Sequence, residues 1–557
     1  MTSKAQFIAK ASAAGVLALA AAGLGAALLA QPAYAAEAIA ITDVEGLKAM
    51  ESNKTGSYYL AKDIDLSGEK DFELFKASAF QGTLDGKGHA IKNFTRSETS
   101  KYKEASFALI DRANNATIKN LSLTRVKITV DTPREVTCAA LVRNAMGKCK
   151  FENIKTSGTI KVTSSNTNPD ESYQHLIGGL VVTMDEKTTF SKCTNGINID
   201  AQITGGYSKS IAGIVANVEN GSGTFTKCAN TGAIVFKGTG SWGTDIDVAG
   251  ISASGIYPSK LVSCTNSGSI SVTLEKLLVA DEYLEDVHVS GLTSEAFATS
   301  CGNKGAVKLT VKSGAGAQNI TVSGCVSAMG GDENYRVFPI TKCYNKGAVT
   351  LDAGSWKSAR SICKVKVAGV VGEAFGGVKK QDKTRAVTQC YNKGVVKAVV
   401  GSSFPHVGGV CADFSGATFA NNYNAGTVTG TGNMHIGGLI GYATMVGKPK
   451  EGVVMEKNYN VGKVTLSGTS GSEKRWLKAG ALTGAITDMD VAATRNAYNN
   501  YYTSGKPYAW SNVTWKAWTA QATKVGSISS GSCPKLSSSL WTYSSKYKRL
   551  ILKNNKE

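Results

Sequence analysis

A pattern of the form apolar-x-x-Cys-x-Asn-x-Gly-x-(Ile/Val) returns at nearly even steps through most of this 557-residue chain. It reads FTKCANTGAIV from Phe225, LVSCTNSGSIS from Leu261, ITKCYNKGAVT from Ile340 and VTQCYNKGVVK from Val387. The cysteine slot falls at Cys193, Cys228, Cys264, Cys301, Cys343 and Cys390. It then passes in phase to Asn422, Asn458 and Ala497, so the steps are 35, 36, 37, 42, 47, 32, 36 and 39 residues. Steps of this size belong to stacked repeats, in which one unit cannot bury its own apolar face and its neighbours complete the core.

A second motif sits between copies of the first: IGGLVV from Ile177, IAGIVA from Ile211, VAGISA from Val248, VSGLTS from Val289, VAGVVG from Val367, VGGVCA from Val407 and IGGLIG from Ile436. Both motifs are short, rich in β-branched residues and bounded by glycine. They lack the three-and-four spacing of an amphipathic helix, so they read as strands. Strands that recur in register pair most simply with their own copies one unit on, about 4.8 Å away. The expected fold is all-β, a right-handed parallel β-helix of about twelve coils with small caps, its shaft on the order of 50 Å long.

The register assigns roles to the other recurrent residues. Asparagine two places after the slot (Asn195, Asn230, Asn266, Asn303, Asn345, Asn392, Asn424, Asn460) should stack as an amide ladder. Glycine two places later (Gly232, Gly268, Gly305, Gly347, Gly394, Gly426, Gly462) should take a positive φ and bend the chain. In the first coils Phe94, Leu121 and Ile154 are expected to fill the slot. Thr42-Asp43-Val44-Glu45 has the form of a capping box, and Leu47 and Met50 follow on one helical face, so a short helix should cover the first rung. The expected division is a leader over residues 1–35, an N-terminal cap and entry strands over 36–79, the shaft over 80–505, and a C-terminal cap with a basic tail over 506–557.

Lys4 and Lys10 precede an Ala/Leu/Gly run that ends near Leu29, and Ala33-Tyr34-Ala35 supplies a small-x-small cleavage signal. No paired arginines, lipid-bearing cysteine, membrane-length apolar run or sortase-type motif accompanies it. The expectation is an extracellular protein, secreted or loosely held at the cell surface. The 62 basic and 42 acidic residues leave a net charge of +20, and +18 once Lys4 and Lys10 are removed. A basic exported chain attracts acidic polymers such as wall or host glycans, although a basic surface can equally be inert. No nucleic-acid-binding motif is present.

Twelve cysteines in an exported chain would ordinarily point to disulfides. Six of them share one coil position that Ile, Leu and Phe also occupy, which suits a buried, reduced ladder. Adjacent rungs are close enough for pairs such as Cys264 with Cys301, so both states remain open. No CxxC or CxxH spacing suggests a metal, and no cofactor motif occurs.

The alternation of IGGLIG-type and CYNKGAV-type segments resembles the GLUG-motif repeats of bacterial surface and secreted proteins, including those beside the catalytic domains of IgA-specific metallopeptidases. YYLAKDIDLSG from Tyr58, FQGTLDGKGHAIKNF from Phe80 and FALIDRANNATIKNLSL from Phe107 are similar to the segment that leads into such repeats. The resemblance covers roughly residues 40 to 505 and implies architecture more than activity. Without the HExxH motif of the metallopeptidases, it implies no proteolysis.

Chemistry is harder to find. A glycosidase needs two carboxylates about 5 to 10 Å apart, and no column of acids in adjacent rungs is legible. Asp63 and Asp65 read as a solvated edge, and Gly86-Lys87-Gly88-His89 as a tight turn. Binding features are better defined. Tyr344, Tyr391, Tyr423, Tyr459 and Tyr498 follow the slot in the later coils and should form an aromatic ribbon, either a platform for sugar rings or stacking within the shaft. Lys366, His406, His435 and Lys478, three places before the strand glycine, should form an outward basic column, either an anion-binding stripe or a solvated face. Lys379, Lys380, Lys383, Arg385, Lys448 and Lys450 in nearby loops add to it. The sequence favours a non-enzymatic, adhesin-like β-helix that binds glycan, with a polysaccharide-degrading enzyme as the alternative.

Overall fold

The computed structural model describes residues 37–166, 173–185, 187–219, 223–239, 245–255, 259–275, 284–312, 317–329, 339–354, 364–375, 386–401, 404–415, 418–445, 454–468, 479–488, 497–511, 522–555 and 557. Within Ala38–Glu557, one compact unit, nearly every strand pairs in parallel with the strand one repeat later. The strands just ahead of the slot make the longest stack, from Ile39–Ile41 through Ser57–Leu60, Thr83–Asp85 and Thr117–Lys119 to Met455–Glu456 and Ala497–Tyr498, fourteen strands among the described residues. At about 4.8 Å per rung the stack is roughly 60 Å long. This is the parallel β-helix that the repeats imply. It is entered two rungs earlier than they suggest, because Ile39–Ile41 and Ser57–Leu60 already pair into the stack.

The helix Val44–Ala49 lies at this end, with Leu47 and Met50 in the core. Its N-cap is Asp43 and not Thr42: the Gly46 amide donates to the Asp43 carboxylate at 2.8 Å. Asp satisfies an end amide as well as Ser or Thr would.

The slot recurs for a hydrogen-bonding reason. The residue before it is left-handed in rung after rung, with φ between 51° and 57° at Asn120, Asn153, Lys192, Lys227, Ser263, Ser300, Lys342, Gln389, Asn421, Lys457 and Asn499. Across this turn the slot side chain donates to the carbonyl three places ahead of the slot in the preceding rung. Cys264 Sγ reaches Phe225 O at 3.4 Å and Cys390 Sγ reaches Ile340 O at 3.5 Å. Asn422 Nδ2 then reaches Val387 O at 2.8 Å, and Asn458 Nδ2 reaches Phe419 O at 2.9 Å. A thiol and an amide are both donors, so one replaces the other without a change of register. All eleven described cysteines are free and buried, Cys264 and Cys301 included.

The eight asparagines form a continuous buried ladder. From Asn195 to Asn460, each Nδ2 donates to the Oδ1 of the next at 2.8 or 2.9 Å. Each also donates to a carbonyl two residues on in its own turn, as Asn345 does to Gly347 at 2.8 Å. The glycines of the motif do not take the expected positive φ, since the left-handed position belongs to the residue before the slot. Close approach requires them instead: a Cβ at Gly394 would lie 1.8 Å from the Gly347 carbonyl oxygen of the rung beneath. The second motif abuts the same seam. A Cβ at Gly369 would meet Gly409 O at 2.1 Å and the Asn392 amide at 2.5 Å.

Two slot assignments need correction. Ser122 pairs with Ala90 and Leu123 with Ile91, so His89 and not Phe94 lies beside Leu121. Phe94 is buried in the core elsewhere. At the other end Met455 pairs with Ala497 and Tyr459 with Tyr501, which puts Asn500 in the slot and Tyr501, not Tyr498, in the tyrosine column. One copy of the second motif also escaped recognition, Val322-Ser323-Gly324-Cys325, which pairs with Val289 on one side and Val367 on the other.

Candidate functional site

The tyrosine column exists, but it is covered. Tyr344, Tyr391, Tyr423 and Tyr459 stack at centroid spacings of 5.4, 5.0 and 4.9 Å with planes within 13° of parallel. The C-terminal segment does more than close the last rung. Ala522–Lys524 adds a strand to the stack, and the hairpin of Trp541–Ser544 and Arg549–Leu552 packs against the rings. Tyr459 donates to Leu550 O, Tyr423 bonds to Glu557, and Glu557 pairs with Lys393 and Arg549. Tyr391, Tyr423 and Tyr459 are therefore fully buried, and only Tyr344 keeps partial exposure. Burial pushes their hydroxyls above the ordinary value. At Tyr391, Tyr423 and Tyr459 the ribbon is internal packing with no open face for a sugar.

The basic column is present, and its charge is balanced. Lys366, His406 and His435 are in register along the shaft. The chain bends at the second-motif glycine, and residues three before and four after it, seven apart, meet across the corner. Lys366 Nζ pairs with Glu373, His406 Nδ1 lies 3.0 Å from Asp413 Oδ2, and the His406 ring stacks on Tyr442 at 4.4 Å. Lys366 is buried in its ion pair, and burial lowers its pKa. His435 sits 5.7 Å from Tyr442, and burial, with His406 adding, brings it down to about 4. It therefore stays neutral near pH 6, where an anion stripe would need its charge. Lys478 and the loop residues Lys379, Lys380, Lys383, Arg385, Lys448 and Lys450 lie outside the described residues.

Toward the N-terminus the same corner turns acidic. The column continues through Thr321 and His288 to Asp247, and Asp245 pairs in register with Asp286. A cleft of about 170 Å³ opens here, lined by Asp245, Asp247, Asp286, His288 and Glu295 together with the hydroxyls of Ser252, Ser254, Ser259, Thr293 and Ser294. His288 Nδ1 lies 3.1 Å from Asp247 Oδ1, and Asn319 Nδ2 donates to Asp286. Burial would lower the His288 pKa, but the Asp247 carboxylate and, more weakly, Asp286 hold it above the ordinary value. Four serine hydroxyls at this corner, Ser290, Ser294, Ser323 and Ser327, are buried without a hydrogen-bond partner. Carboxylates in adjacent rungs thus do occur, contrary to the reading that no acid column exists. Sequence reading missed them because the column changes residue type at each rung. The signal was the position three before Gly250 and Gly291.

The other sequence candidates are locally accounted for. Asp63 is drawn down to about 2 by hydrogen bonds from Lys92 and the Ala90 amide. Asp65 accepts from Asn93 and the Ser67 amide. Lys87 and Gly88 have φ of 52° and 89°, a tight turn. Among the described residues, no group of three or more His, Cys, Asp or Glu is arranged to hold a metal ion, and no helix is long and apolar enough to cross a membrane.

Residues 41–158 match the family model described as the M26 IgA1-specific metallo-endopeptidase N-terminal region. No curated protein matches the chain. Among solved structures, one described as "a putative immunoglobulin A1 protease from Bacteroides ovatus" is 13% identical, aligned over 94% of this chain and 93% of that one, with a TM-score of 0.18.

Proposed function

We propose that this chain is an exported, non-enzymatic β-helix that binds a glycan, or a partner bearing one, outside the cell. The carrying observation is the acidic cleft at Asp247, His288 and Glu295, a polar recess whose lining includes the unpartnered hydroxyl of Ser294. Elsewhere the shaft's asparagine seam satisfies itself. A preformed recess with a few placed polar groups is the usual form of a small-ligand site, and hydroxyls and carboxylates are the groups that suit a sugar. The leader-like first 35 residues and the match of residues 41–158 to the M26 IgA1-specific metallo-endopeptidase N-terminal region support the setting. The chain has no HExxH sequence, so peptide cleavage is not part of the proposal. The test is a glycan array probed with the mature chain and with a Ser294→Trp variant that fills the cleft. Retention of a glycan by the parent and its loss in the variant supports the role. Equal retention by both places binding elsewhere.

A second reading is a polysaccharide-cleaving enzyme, and one observation favours it. Asp245 and Asp286 occupy paired positions in adjacent rungs, a separation of about 5 Å and near that of a retaining carboxylate pair. Release of reducing ends or unsaturated uronates from a polysaccharide panel, abolished by Asp286→Asn, would establish it over the binding role.

A further inference from the structure

The cleft reverses the sign of the protein around it. The chain carries a net charge of +20, yet among the described residues the cleft lining holds four carboxylates, Asp245, Asp247, Asp286 and Glu295, and one imidazole, His288. These acids line a wall and do not converge: no three of the described groups can hold a metal ion. Divalent calcium requires six to eight oxygens closing on one point. Acids spread along a recess suit a larger ligand with a cationic end.

Ser294 is the independent observation. It is only 5% exposed, lines the cleft, and its hydroxyl has no partner. A buried hydroxyl in that condition costs about 1 to 3 kcal/mol, which a ligand hydroxyl would recover. Among the described residues the remaining lining is mostly hydroxyl-bearing, with Ala253 and Ala328 its only apolar side chains. A lysine or arginine tail would find little apolar wall for its methylenes among the described lining residues. A sugar would match hydroxyl to hydroxyl, and an ammonium on it would form charge-assisted bonds to a carboxylate. The volume, about 170 Å³, is below the roughly 300 Å³ at which drug-sized sites begin and fits one monosaccharide-sized unit.

We propose that this cleft is a subsite for one amino-sugar unit with a free ammonium group. The inference rests on the glycan-binding role above and narrows its ligand class. The experiment compares calorimetric binding of glucosamine oligomers, their fully N-acetylated counterparts, oligolysine and calcium chloride to the mature chain. Glucosamine oligomers should bind about tenfold more tightly than the acetylated ones at low salt, the worth of one charge-assisted contact. An Asp245→Asn/Asp286→Asn variant should lose that preference. Ser294→Ala should weaken binding several-fold while melting no lower than the parent. The proposal is overturned if both oligomers bind alike, if the double variant keeps the preference, or if oligolysine or calcium binds the cleft more tightly. Should the array reveal a glycan held without ammonium preference, this inference fails and the binding role stands. Should no glycan be retained, both fail.

Discussion

The acidic and the balanced stretches of the glycine corner share one backbone and differ only in what faces what across it. Around Gly369 and Gly409 the residues seven apart are complementary, Lys366 with Glu373 and His406 with Asp413. Around Gly250 the complement fails, since Ser254 stands seven after Asp247 and Asp247 leans along the shaft to His288; around Gly291 His288 and Glu295 stand seven apart in the same cleft as Asp245 and Asp286. The difference teaches that the repeat supplies geometry and leaves charge free. Where acid and base face each other the corner closes as an ion pair, and where acids predominate it widens into the cleft.

Both stretches rest on the cysteine and asparagine seams, so the largest effect comes from breaking that support. Cys264→Asp places an unpaired carboxylate in a dry stack beneath the acidic stretch and should destabilise by more than about 4 kcal/mol. Retention of the parent's urea midpoint would show that the slot admits water. Next in size is Glu373→Gln, which leaves Lys366 buried without its charge partner and should cost about 3 kcal/mol. Its counterpart Glu295→Gln borders the open cleft and should cost less than about 1 kcal/mol. Equal urea midpoints for these two variants would erase the distinction between the stretches. Asn345→Leu breaks the amide ladder between Asn303 and Asn392 and should cost about 2 kcal/mol by leaving neighbouring amides unmatched. Melting together with the parent would mean that the ladder contributes nothing.

Much of this was legible because it is periodic. The slot and the ladder recur as residue types, and period alone placed Cys264 beside Cys301 and Asn303 beside Asn345. The errors came where period and geometry part. Near both ends look-alike residues stand a few places from the true slot, as Ala497-Tyr498-Asn499 does before Asn500-Tyr501, so pattern matching put Phe94 and Tyr498 into columns that belong to His89 and Tyr501. Glycine was taken as the residue that turns, although Lys192, Ser263 and Gln389 carry the left-handed φ and the glycines answer to a carbonyl one rung away. The burial of Tyr423 and Tyr459 depends on a hairpin some hundred residues later that follows no repeat. The cleft was hidden for a related reason: Asp247, His288 and Thr321 share a column but no chemistry, and their common role emerges only from the corner.

The finest test of the comparison uses two histidines in one column that titrate in opposite senses. His288, in the acidic stretch, is held above its ordinary pKa by Asp247 and Asp286 against the effect of burial and of Lys366. The folded state therefore takes up its proton more readily than the unfolded chain, whose histidine titrates near about 6.5. Its contribution to stability is complete below that value and fades as pH rises through the folded pKa. His435, in the balanced stretch beside the stacked His406 and Tyr442 rings, is lowered by burial to about 4. The unfolded chain binds that proton first, so stability is lost as pH falls from about 6.5 toward 4. Melting curves of His288→Gln and His435→Gln at several pH values from mildly acidic to mildly basic should diverge. Relative to the parent, the His288 variant should lose most at the acidic end and least at the basic end. The His435 variant should improve steadily on acidification, the effects being on the order of 1 to 2 °C in a chain of this size. Parallel profiles for the two would mean that the corner imposes one environment along its length, and the acidic cleft would lose its claim to be electrostatically distinct.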